Sequence, residues 1–127
     1  MAETLGKNFH YSGIVSGEKK AAYLRSLDVF VMPSYFEGLP MSLLECMSYG
    51  IVPVVTPVGS IPNVVGDGQN GLLLKKKDIG SIVNAITTLH NDRELVRKLG
   101  KNAKKTIFDN FSVESYIERL NKIYDTL

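Results

Sequence analysis

The stretch Pro33–Gly50, PSYFEGLPMSLLECMSYG, limits the fold of this chain more than any other. An apolar run, Asp28–Met32, leads into it, and a second, Ile51–Val55, leads out. Both read as strands, and the amphipathic segment between them, about 40–49, reads as a helix. A loop and helix start at the carboxyl end of a parallel strand is where open α/β sheets place ligands. The first amides of such a helix have no partner within it, and the helix dipole adds to their pull on anionic oxygens. Pro40 suits the first helical position, because it lacks an N–H and already has the required φ. Gly50 suits a left-handed exit.

Two carboxylates flank this corner, Glu37 in the loop and Glu45 eight residues on in the helix. One reading makes Glu37 a solvated loop residue and Glu45 a member of a polar helix face. The other follows from the surroundings. Glu37 and Gly38 come directly after a strand, and Glu45 lies in a stretch rich in Leu and Met. A carboxylate in such a place needs a partner, because burying a lone charge is costly. Ligand hydroxyls can serve, since a carboxylate accepts several hydrogen bonds.

The rest of the chain places this corner in an α/β fold. Residues 9–15 read as a strand, 18–27 as a helix with Lys19, Lys20 and Arg25 in water, and 71–74 as a short buried strand. Strand 28–32 is expected to be buried on both faces, as parallel strands are. Residues 56–62 form a loop held by prolines and glycine, 63–65 a single helical turn, and Gly66–Gly71 a turn. Asp78 caps a helix from about 79 to 90. Asp92 caps another that breaks near Gly100 and resumes to Asn110, and Ser112 opens a last helix to about Asp125. This order predicts an α/β class, Rossmann-like and three-layered, with a small parallel sheet of about four strands.

Length and charge restrict the function classes. The 127 residues fit one domain, and a net charge of +2 gives no basis for nucleic-acid binding. A single cysteine, Cys46, excludes an internal disulfide framework and reads as a small buried hydrophobe. Neither histidine supports a catalytic role: His10 reads as strand surface and His90 as a helix end. The Lys75–Lys77 run reads as solvated surface, with an anionic membrane or lipid-linked acceptor as the functional alternative. At most peripheral membrane contact is expected, since the most apolar stretch is short and interrupted by Pro53 and Pro57.

The run PSYFEGLPMSLLECMSYGIVPVVTPVGSIPNVVGDGQNGLLL resembles the carboxy-terminal domain of retaining glycosyltransferases of family four, which have the two-domain GT-B architecture. The likeness extends from FHYSGIV to FSVESYIERLNKIYDTL. It makes residues 1–127 a partial nucleotide-sugar-binding domain, truncated relative to the full GT-B carboxy-terminal domain. It implies Glu37 as the catalytic residue that holds donor-sugar hydroxyls. Gly38 and Leu39 would offer amides to the sugar, Met41 and Ser42 would offer amides to the diphosphate, and Glu45 would bind the ribose. It implies no metal and no cofactor besides the nucleotide-diphosphate sugar. It also implies a cytoplasmic place, in bacterial polysaccharide or glycolipid assembly, at or near the inner membrane face.

Two departures stand out. Asn63 occupies the place of a family glutamate: it keeps an acceptor and lacks the charge. Two strand–helix units with a basic pair, and the amino-terminal acceptor domain, have no counterpart in the sequence. In a family sheet ordered 3-2-1-4-5-6, the missing strands would separate residues 9–15 from 28–32. Residues 9–15 are therefore expected to pair with 28–32 directly or with a second chain in a homo-oligomer. The chain by itself is expected to lack turnover. The alternatives are a stand-alone nucleotide-sugar module, a subunit completed by a partner, and a remnant without ligand.

Overall fold

The computed structural model describes residues 6–126. Its order is α1 (Gly17–Arg25), β1 (Val29–Met32), α2 (Met41–Ser48), β2 (Val52–Val55), β3 (Leu72–Leu73), α3 (Ile79–Asn91), α4 (Arg93–Phe111) and α5 (Val113–Asp125). Single 3-10 turns lie at Gly6–Asn8 and Ile61–Asn63. The sheet is parallel, ordered β1-β2-β3, with Val29 beside Val52 and Val54 beside Leu72.

β2 is central, and all four of its residues are buried. Its side chains alternate between faces as the pleat requires. Val52 and Val54 meet Leu89 of α3 and Val96 and Leu99 of α4. Val55 packs on the other side with Leu43 and Met47 of α2 and with Ile61, Val64 and Val65. Helices thus cover both faces, which defines the three-layer α/β arrangement expected from the sequence.

Three expectations are corrected. Residues 9–15 form no strand, so among the described residues the sheet has three strands and not four. Tyr11 and Ile14 stand 80% and 101% exposed, so the segment gains no burial to offset the cost of ordering it. Strand β1 is not buried on both faces: Val31 is 41% exposed, because nothing pairs with its outer edge among the described residues. Helix α4 does not break at Gly100. Gly100 is there for close approach: a Cβ would strike the carbonyl oxygen of Gly50, where the chain leaves α2 at φ +79°. α4 can therefore lie directly against the turn between α2 and β2.

The helix caps follow the sequence reading. Asp78, Asp92 and Ser112 accept hydrogen bonds from the amides of Ser81, Leu95 and Ser115. Pro40 stands one place earlier than expected. It is the N-cap residue, with φ −71° and ψ 126°, and α2 begins at Met41.

Candidate functional site

The loop from Pro33 to Pro40 leaves β1 at its carboxyl end and is held by the loop that leaves β2. The Thr56 hydroxyl donates to the Ser34 carbonyl at 2.6 Å. The Ser34 hydroxyl donates to Oε1 of Glu37 at 2.8 Å, which fixes that carboxylate half-buried. The Ser60 amide donates to the Gly38 carbonyl at 3.0 Å. Between Thr56 and Ser60, Gly59 adopts φ +57°, and its α-carbon lies against the Glu37–Gly38 peptide. A Cβ there would come within 2.6 Å of the Gly38 oxygen and closer still to that of Glu37. The conformation of the Glu37 loop therefore depends on a glycine 22 residues further on.

Helix α2 presents an open amide end. Among the described residues no side chain caps it, and the Pro40 carbonyl takes the amides of Leu43 and Leu44 at 3.1 and 3.4 Å. Met41 and Ser42 are exposed, and amides in a first helical turn have no partner within the helix. Leu39 packs its side chain against the core, which anchors the loop just before the helix. Glu45 lies four residues after Met41 and three after Ser42, on the same side of α2. All six residues singled out for the site thus fall on one loop and the first turns of one helix.

Glu45 has a partner that the sequence reading put in water. Nζ of Lys20 lies 2.8 Å from Oε2 of Glu45, and both side chains are partly exposed. Lys20 and Leu24 are one turn apart on α1, and Leu24 packs with Cys46 and Ile51. Docking of α1 on α2 thus carries Lys20 to Glu45. Cys46 is 5% exposed, and burial raises its thiol pKa to about 11, with Glu45 adding to the rise and Lys20 opposing it. It remains a protonated, unreactive thiol near neutral pH, as its reading as a small hydrophobe requires.

Other polar features lie elsewhere. Asn63 is exposed in the 3-10 turn after the Gly59 loop. A groove of about 270 Å³ lies between the Gly66–Gly71 turn and α4. Its amides are largely engaged within the chain: Asn70 donates to Val64 and Thr106, and Asn102 donates to Gln69. Among the described residues, no helix is long and apolar enough to cross a membrane.

The small parallel sheet with helices on both faces is that of carboxy-terminal GT-B material of the glycosyltransferase type. The family model described as glycosyl transferases group 1 matches residues 1–106, and the chain belongs to that family. An uncharacterized glycosyltransferase of Methanocaldococcus jannaschii is 33% identical over 124 residues, covering 97% of this chain and 32% of that protein. An Escherichia coli UDP-Gal:alpha-D-GlcNAc-diphosphoundecaprenol alpha-1,3-galactosyltransferase is 30% identical over 101 residues, covering 80% of this chain and 26% of that protein. Sucrose-phosphate synthase from Thermosynechococcus elongatus superposes with a TM-score of 0.85 at 28% identity, covering 97% of this chain and 31% of that one. The chain therefore spans between about a quarter and a third of the length of these relatives.

Proposed function

We propose that this chain is the donor-binding part of a retaining glycosyltransferase that uses a nucleotide-diphosphate sugar. The reading rests chiefly on one observation: the open amide end of α2 lies beside a glutamate held by Ser34 and backed by Gly59. The amides of Met41 and Ser42 bind the diphosphate and stabilise it as it departs. Glu37 and the amides of Gly38 and Leu39 hold the sugar hydroxyls, and Glu37 offsets positive charge developing at the anomeric carbon. Glu45 accepts hydrogen bonds from the ribose, displacing or sharing Lys20. No metal or further cofactor enters this scheme.

The acceptor is a glycan or lipid-linked sugar, held by an acceptor domain or partner subunit that supplies what this part of a transferase does not. A homo-oligomer is a further way to cover the free edge of β1. The proposed place of action is the cytoplasm, at or near the inner membrane face. The isolated chain binds donor without turnover.

Calorimetric titration with UDP-glucose and GDP-mannose tests the reading. Saturable binding is expected, weakened about tenfold or more by Glu45→Ala through loss of charge-assisted hydrogen bonds. Binding to neither nucleotide sugar overturns it and favours a remnant in which Lys20 has replaced the ribose. Transfer that appears only on adding a second polypeptide identifies a split enzyme.

A further inference from the structure

Three consecutive lysines, Lys75–Lys77, follow β3. An exposed run of like charge ordinarily stands in solvent. Here the turn is laid across the carboxyl ends of the strands. The Lys76 ammonium sits 5.0 Å from the ring centroid of Phe36, the residue before Glu37. The middle lysine therefore lies over the Glu37 loop.

The outer two lysines face elsewhere. Lys75 and Lys77 line a cavity of about 210 Å³ with Ser34, Tyr35, Thr56 and Asp78. Lys77 has φ +61°, the sole positive φ outside glycine among the described residues, in a region that side chains adopt at a cost. The turn is tied at both ends. The Lys75 amide donates to the Ser81 hydroxyl at 3.1 Å, and that hydroxyl donates to the Asp78 carbonyl at 2.8 Å. Oδ1 of Asp78 accepts from the Ser81 amide at 3.2 Å, so this carboxylate is engaged in capping α3. Neither Lys75 nor Lys77 forms an ion pair among the described residues.

Two lysines without an ion-pair partner among the described residues, lining one small cavity, suit a phosphoryl or diphosphoryl group. This cavity is distinct from the amide end of α2. Its wall includes Ile82, which packs on the Val52 and Val54 face of the sheet, whereas α2 covers the Val55 face. The Ser34–Glu37 loop lies between them. The geometry points to a second anion subsite, formed by Lys75 and Lys77, that binds the phosphoryl group of a phosphate-bearing acceptor. The inference rests on the transferase reading for the word acceptor, but the subsite itself does not depend on donor binding.

The test is an amide-resonance titration of the ¹⁵N-labelled chain with UDP and, separately, with geranyl diphosphate. It is joined by cosedimentation with phosphatidylglycerol and phosphatidylcholine vesicles. The variant is Lys75→Gln with Lys77→Asn, since asparagine tolerates a positive φ and the spectrum itself reports folding. Geranyl diphosphate is expected to move the amides of residues 34–35 and 75–78. The double substitution is expected to weaken it about tenfold, as removal of two exposed charges near a dianion implies, with UDP affinity within about twofold. Capture by phosphatidylglycerol vesicles alone, lost in the variant, assigns the same subsite to a lipid headgroup and also supports it. No response of residues 75–78 to either phosphate source overturns the subsite, as does an equal loss of UDP affinity in the variant. Absent UDP shifts at residues 38–45, with the geranyl diphosphate response intact, sink the donor reading alone.

Discussion

Replacing Gly59 with alanine isolates the contact on which the Glu37 loop depends. Two costs apply. A left-handed φ costs an L-residue about 1–2 kcal/mol. The added Cβ must also displace the Glu37–Gly38 backbone, an overpacking cost of about 1–3 kcal/mol. Gly68 provides the control: its φ is +69°, but a Cβ there would meet nothing within 4 Å. Gly68→Ala bears the first cost and not the second. At about 2.1 cal/mol/K per residue, the 127-residue chain has an unfolding entropy of roughly 270 cal/mol/K. Gly68→Ala should therefore lower Tm by about 4–7 °C, and Gly59→Ala by a further 4–11 °C or so. Thermal unfolding followed by circular dichroism measures both. The displaced loop should also weaken UDP-glucose binding in Gly59→Ala and leave it unchanged in Gly68→Ala. Equal Tm losses for the two variants would refute the claim that Gly59 props the loop.

Three further perturbations probe the scaffold and the helix beside the site. Gly100→Ala should destabilise, although alanine normally gains about 1 kcal/mol over glycine within a helix, because its Cβ strikes the Gly50 carbonyl. A raised midpoint in urea unfolding would contradict the close approach of α4. Cys46 should resist iodoacetamide at pH 8 and react appreciably only as pH nears its pKa of about 11. Because that pKa is raised from 9.0, stability linked to Cys46 is fully present below pH 9 and is lost as pH rises toward 11; a rise in Tm over that range in wild type, relative to Cys46→Ala, would reverse the sign. Lys20→Ala should change stability by less than about 1 kcal/mol, as for other partly exposed pairs. It should also leave UDP-glucose affinity equal or tighter, since Glu45 is released; calorimetry showing a tenfold loss would make Lys20 itself a ligand contact.

Much of the fold was legible because local chemistry and tertiary packing agree. The apolar runs at Asp28–Met32 and Ile51–Val55 became β1 and β2, and the polar caps at Asp78, Asp92 and Ser112 opened the helices where their side chains predict. Residues 9–15 failed because apolar alternation suggests a strand but cannot supply a neighbour to pair with. Gly100 was misread for a related reason. Glycine lowers helix propensity whatever its surroundings, and only the position of Gly50 shows why it is tolerated in α4.

At the site the division is sharper. The order Glu37, Gly38, Pro40 and Glu45 fixes an acid before a helix start and an acid one turn within it, since both placements follow from helical geometry along a contiguous stretch. Distant partners followed no such rule. Lys20 reaches Glu45 through the docking of α1 on α2, Gly59 backs the Glu37 peptide from the next crossover, and Lys75 and Lys77 are brought round to Ser34 by the parallel register of β1, β2 and β3. Sequence determines what each segment can offer, because propensity and capping act over a few residues. Tertiary structure alone decided which offers meet, because parallel strands gather their carboxyl ends at one edge however far apart they lie in the chain.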